Sequence, residues 1–198
     1  QTVYRMEMER WPDWQVGREP LDVDPMEERQ CAEWEMADRV VVPSEFVLRA
    51  LQESGVEKEK LRVISYPVDL DRFRPEFREP SRTSKGLVVL FVGEVGIRKG
   101  VPDLLEGLRL LSSRQVRARI VGPIALSADK LKKFSLYAEF IGPVPRSEIY
   151  KELQRADMVV FPSLCEGSAL VVGEALHQLA EPLGRRGVPL LLHVDVGS

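Results

Sequence analysis

Strands alternating with helices from Gly86 onward predict an α/β protein built on a parallel sheet with helices on both faces. Three observations carry this. LVVLFVG (87–93) is an almost wholly apolar run, as expected for a strand covered on both sides. Directly after its glycine-rich turn, Val101, Leu104, Leu105, Leu108 and Leu111 recur at helical spacing on one face. The alternation then repeats several times, and parallel strands joined by helices imply right-handed crossovers.

Each element follows from its residues. Residues 1–36 are polar and acidic, with Trp11, Trp14 and Trp34 among them, and Pro12, Pro20 and Pro25 interrupt any long helix before Met26. MEERQCAEWEMA (26–37) has good helix formers and few breakers. Val40–Val42 reads as a short buried strand closed by Pro43, and Ser44 as the N-cap of a helix over 45–53 that Gly55 stops. LRVISY (61–66) is a further strand. PVDLDRFRPEFREPSRTSKG has no periodicity and many prolines and charges, which marks a linker. Beyond the first apolar strand come strand 117–122, a helix around 127–137 and strand 139–142. Helix 147–156, strand 158–163, a helix from Ser168 and a last strand VPLLLHV (188–194) complete the pattern.

Composition bounds the function. Hydrophobic residues are 44% and charged residues 30% of the 198, the balance of a globular protein. With 28 Lys plus Arg against 31 Asp plus Glu, the net charge of −3 gives no reason to expect nucleic acid or an anionic membrane as partner. Cys31 and Cys165 lie far apart outside any metal or redox spacing, and read as reduced thiols of a cytoplasmic protein. Neither they nor His177 and His193 suggest a metal site. No run approaches ~18 apolar residues, so no membrane-spanning helix is expected. The chain begins at Gln1 rather than Met, which suggests a fragment.

Ligands of an open parallel sheet bind beyond the carboxyl ends of its strands, and three such ends carry unusual residues. Gly93-Glu94-Val95-Gly96-Ile97-Arg98-Lys99-Gly100 combines glycines, which let backbone approach a ligand, with two cations suited to a diphosphate. It matches neither GxGxxG nor the P-loop, and a solvated basic turn fits it as well. Ser163-Leu164-Cys165-Glu166-Gly167-Ser168 places an acid at a helix start, with Glu174 about two turns further along. Carboxylates accept hydrogen bonds from vicinal hydroxyls of a ribose or sugar. Glutamates at this spacing are also common on solvated faces, but Glu174 sits in the apolar helix ALVVGEALHQLA and needs a partner or a ligand there. Ile141-Gly142-Pro143-Val144-Pro145 is a rigid turn whose backbone suits a flat base edge, or simply connects strand to helix.

In this order, the three corners resemble the C-terminal domain of the retaining glycosyltransferase family 4, over Ala37 to Leu176. ADRVVVPSEFVLRAL is similar to the end of that family's N-terminal domain, and LRVISYPVDLDRFRP to its interdomain connection. VLFVGEVGIRKGVPDLLEGL looks like its diphosphate turn, and ADMVVFPSLCEGSALVVGEAL like its Glu-x7-Glu motif. The resemblance implies a Rossmann-like sheet forming the C-terminal half of a two-domain enzyme. It implies three parts: a remnant of the N-terminal acceptor domain (1–66), a linker (67–86) and a C-terminally truncated nucleotide-sugar-binding domain (87–198). Arg98 and Lys99 would bind the donor diphosphate and stabilise the leaving nucleotide, and Gly93 would let backbone approach it. Glu174 would hold the ribose and Glu166 the transferred sugar, with Arg98, Lys99 and Glu166 closest to the chemistry. Amides of Gly167, Ser168 and Ala169 would help hold the phosphates, and the Val144 backbone would face the base.

The implied reaction moves a sugar from a nucleoside diphosphate sugar to an acceptor hydroxyl with retention. No metal or other cofactor is implied, because the basic pair supplies the charge stabilisation. The acceptor (a glycan, lipid or small molecule) and any peripheral membrane contact would be reached through the missing half, and the fragment alone is expected to be inactive. Departures from the pattern are Glu94, where many members carry Arg, and a lengthened stretch HQLAEPLGRR before Gly187-Val188-Pro189. Both leave room for a non-catalytic nucleotide-sugar-binding or interaction module. A dinucleotide-dependent dehydrogenase is excluded by the lack of GxGxxG.

Overall fold

Apolar runs become strands here wherever a partner strand is available to pair with them. In the computed structural model the described residues are 2–16, 24–71, 73, 86–111, 115–164, 166–179 and 191–193. Among the described residues seven strands are formed: β1 (Val40–Val42), β2 (Leu61–Val63), β3 (Leu87–Val92), β4 (Val116–Val121), β5 (Ala138–Gly142), β6 (Met158–Phe161) and β7 (Leu191–His193). The helices are α1 (Thr2–Arg10), α2 (Asp24–Met36), α3 (Glu45–Glu53), α4 (Val101–Leu111), α5 (Ala128–Phe134), α6 (Ile149–Arg155) and α7 (Leu170–Leu179). Contacts group them into two units. The larger comprises Gln1–Gly17, Asp69–Cys165 and Val171–Ser198, and the smaller Arg18–Val68 with Glu166–Leu170.

The larger unit holds a five-stranded sheet, parallel throughout, in the order β5-β4-β3-β6-β7. This is the α/β Rossmann-like fold expected. Leu90 and Phe91 of β3, Ile120 and Val121 of β4, and Val159 and Phe161 of β6 are buried, as strands covered on both faces must be. β6 ends at Phe161 because Pro162 has no N–H to continue the ladder. Helix α4 buries Val101, Leu105 and Leu108, while Leu104 packs partly and Leu111 is 64% exposed at the helix end. The last of the five expected core positions is therefore a surface residue. The stretch 180–190, with most of the lengthened segment, and most of the linker lie outside the described residues.

In the smaller unit β1 and β2 pair in parallel, from Val40 opposite Leu61 to Val42 opposite Val63. The expected strand 61–66 stops at Val63 because its partner turns away at Pro43; Ile64 makes the closing bond, its N–H donating to the Val42 carbonyl at 2.9 Å. Ser44 caps α3 as its residue type predicts, accepting from the Val47 amide at 3.3 Å, and Gly55 takes φ 92° just beyond the helix.

The N-terminal segment departs most from expectation. Instead of joining a domain of residues 1–66, Gln1–Gly17 groups with the sheet of the larger unit. The reason is Trp14, 4% exposed, whose ring lies 5.4 Å from Phe134 and 5.0 Å from Trp11. Tyr4, Met8 and Trp11 of this segment pack against the same core. Arg10 pairs with Asp103 of α4 at 3.1 Å; burial still raises the Asp103 pKa above its ordinary 3.8, outweighing the guanidinium. The prolines exclude a long helix before Met26, and the nine-residue α1 fits ahead of the first of them. Pro25 does not break α2 either, because it occupies the first turn, where a missing N–H costs nothing.

Candidate functional site

Strand order reverses between β3 and β6: the chain runs outward from β3 through β4 to β5, then returns to the other side of β3. Such a reversal opens a crevice at the carboxyl ends of the two strands. Arg98 and Lys99 stand there, in a 3-10 turn (Ile97–Lys99) that leaves β3. Glycines shape this corner. Gly122 at the end of β4 takes φ 139°, and a Cβ there would overlap the Gly93 carbonyl oxygen. Gly100 takes φ 65°, and its Cβ would overlap the carbonyl oxygen of Pro162, just past β6. A second tie between turn and β6 is the Leu164 amide, which donates to the Arg98 carbonyl at 3.1 Å. The Lys99 ammonium lies 5.4 Å from the Phe161 ring centroid, and Gly93 lies beside the Lys99 stem. Glu94 is half-buried in the same turn, so two cations share it with one carboxylate.

Glu174 has the partner its apolar setting requires. It is 4% exposed, and Arg146 donates from Nη2 to its Oε1 at 2.5 Å. Arg146 itself is 61% exposed and belongs to the 3-10 turn Arg146–Glu148 that follows Pro143-Val144-Pro145. This ion pair joins the turn beyond β5 to α7, so the candidate ribose carboxylate and the candidate base turn are tied together. The turn starts at Gly142, φ 80°, and Val144 is half-buried.

Glu166, Gly167, Ser168 and Ala169 belong to the smaller unit. There the Ser44 hydroxyl, which also caps α3, donates to the Gly167 carbonyl at 2.5 Å. A Cβ on Gly167 would approach Val47 Cγ2 to 3.2 Å, so glycine allows close packing of this loop on α3. All four residues are half-buried. The expected helix from Ser168 begins at Leu170.

Within the larger unit the geometry thus forms two paired corners: the basic turn with the end of β6, and Glu174 with the turn after β5. Two residues near them escape sequence reasoning. Arg146 gives no local sign of its role, since its partner is 28 positions away. Gln15, whose Oε1 accepts from the Ile97 amide at 3.2 Å, is more distant still. The one available signal was the helical spacing of Tyr4, Met8 and Trp11, which marks a face needing cover.

A parallel sheet with a basic, glycine-shaped turn at its reversal point defines a Rossmann-like domain. Residues 86–178 match the family of glycosyl transferases group 1. A D-inositol 3-phosphate glycosyltransferase of Nocardia farcinica is 32% identical over 180 residues, covering 79% of this chain and 39% of the relative. Among solved structures, Alr3699/HepE of Anabaena, crystallised with UDP and glucose, superposes with a TM-score of 0.62 at 20% identity. It covers 78% of this chain and 46% of that one. A glycosyltransferase from Rickettsia africae gives a TM-score of 0.62 at 18% identity, over 92% of this chain and 50% of that one. The chain therefore spans about two-fifths of the curated relative and about half of each solved structure. Among the described residues no helix is long and apolar enough to cross a membrane.

Proposed function

We propose that the chain is the donor-binding part of a retaining glycosyltransferase, which moves a sugar from a nucleoside diphosphate sugar to an acceptor hydroxyl. The observation that carries this is the placement of Arg98 and Lys99 in the turn at the strand-order reversal. In this reading both cations hold the diphosphate and stabilise the nucleotide as it leaves, so no metal is needed. Backbone at Gly93 approaches the phosphates. Glu174 accepts the ribose hydroxyls; an ionised carboxylate has about four lone-pair sites, so the bond to Arg146 leaves room for them. The Val144 backbone meets the base. Glu166 faces the transferred sugar, and the amides of Gly167, Ser168 and Ala169 add phosphate contacts.

Transfer requires donor and acceptor held together in a water-poor cleft. We therefore expect these 198 residues to bind nucleotide without turning it over, the acceptor (a glycan, lipid or small molecule) being bound by a further part of the protein. Cytoplasmic residence belongs to the same reading, in keeping with an exposed, unbridged Cys31.

Calorimetry with UDP, GDP and ADP against the matching monophosphates, in EDTA, tests this. The preferred diphosphate should bind more tightly by about 1.5–3 kcal/mol for each charge-assisted contact that the monophosphate lacks. Equal affinities, or binding abolished by EDTA, would overturn it. Glu94 within the basic turn favours a second reading, a nucleotide-sugar-binding module without transfer. Release of nucleoside diphosphate from a nucleotide sugar, measured with the whole protein, separates the two.

A further inference from the structure

The basic turn is held from behind by a segment of chain more than eighty positions away. Gln15 pairs antiparallel with Leu126, flanked by the Val16 amide donating to the Ala125 carbonyl at 2.9 Å and the Ser127 amide donating to the Trp14 carbonyl at 2.8 Å. On its other side the same stretch grips the turn. The Ala125 amide donates to the Val95 carbonyl at 2.9 Å, and the Val95 amide to the Pro123 carbonyl at 2.8 Å. Gln15 reaches the turn directly as well. Its Oε1 accepts from the Ile97 amide at 3.2 Å, while its Nε2 donates to the Tyr4 hydroxyl of α1 at 3.2 Å. A Cβ on Gly96 would come within 3.3 Å of that Oε1, so the side chain lies tight against the turn.

The clamped amide belongs to the residue immediately before Arg98 and Lys99. Fixing that peptide plane fixes the backbone from which both cations depart. We propose that Gln15 is a positioning residue for the diphosphate site: it orders the Gly93–Gly100 turn through Ile97, making the segment 2–16 part of the donor site although it touches no donor. This rests on the reading of Arg98 and Lys99 as the diphosphate site. Preorganised charges bind more tightly because the ligand need not order them.

Two variants test it. Gln15→Met keeps the side-chain length and loses the strong acceptor, whereas Gln15→Glu keeps an oxygen able to accept from Ile97. Hydrogen exchange of the Ile97 amide without nucleotide should quicken in Gln15→Met and return toward the wild-type rate in Gln15→Glu. The diphosphate preferred among UDP, GDP and ADP should bind Gln15→Met about threefold to tenfold more weakly, the scale of one neutral hydrogen bond, with its monophosphate little changed. Unchanged Ile97 exchange in Gln15→Met overturns the proposal, and so do equal losses for diphosphate and monophosphate, which would mean general loosening. A wild-type chain with no preference for diphosphate defeats the reading of the site itself and the role of Gln15 with it. A preference that survives intact in Gln15→Met defeats the role of Gln15 alone.

Discussion

The two glutamates of the Glu-x7-Glu motif stand in different surroundings, and under the proposed function their roles differ accordingly. Glu174 is buried, paired and linked to the turn after β5, which suits it to a part of the donor that stays unchanged during reaction. Glu166 is half-buried in the smaller unit and is assigned to the sugar. Free nucleoside diphosphate carries no sugar. Glu174→Ala should therefore lower its affinity about tenfold, the scale of a hydrogen bond to a charged group, while Glu166→Ala leaves it nearly unchanged. Titration calorimetry of both variants checks this, and a larger loss for Glu166→Ala would reverse the assignment. Arg146 makes a further prediction. Removing it leaves a buried carboxylate without its partner, so Arg146→Ala should cost about 1–3 kcal/mol in urea unfolding; the exposure of the guanidinium keeps the cost below that of a fully buried pair. Glu174 was legible as a residue needing a partner because a charge stood in an apolar helix. Which residue answers it was not, since Arg146 lies 28 positions away on a different element.

At the scale of elements, the alternation of apolar strand and amphipathic helix was enough to read every strand of the main sheet. That signal is strong because both faces of a parallel sheet are covered. The short helix α1 is hard to read because nine residues hold too few apolar repeats for a strong periodic signal. Glycine positions also separate into kinds that a sequence cannot distinguish. Gly100 has φ 65° and no space for a side chain beside Pro162, whereas Gly107 lies inside α4 with nothing near its missing Cβ. Gly100→Ala should destabilise the fold by about 1–3 kcal/mol, and Gly107→Ala should stabilise it by about 0.5–1 kcal/mol. Thermal unfolding of the two variants should move the midpoint in opposite directions. If Gly100→Ala unfolds like the wild type, the turn is not locked to the end of β6.

For the molecule as a whole, the larger unit is not contiguous in sequence. The family segment begins at residue 86, yet the core beneath its first turn is completed by Trp14. Trp14→Ala should lower the unfolding free energy by about 3–5 kcal/mol, the usual cost of deleting a buried large aromatic, as urea denaturation would show. A cost under about 0.5 kcal/mol, the range of surface changes, would place Trp14 outside the core. The two-unit grouping was unreadable beforehand because the partner of Trp14 is Phe134, far along the chain. That separation also bears on how the protein is made. As the ribosome works from N- to C-terminus, Trp11 and Trp14 emerge on the order of ten seconds before α5 exists to receive them, at ordinary elongation rates. During that interval two indoles are unsheltered on a nascent chain, the kind of exposed apolar surface from which chaperones keep other chains away.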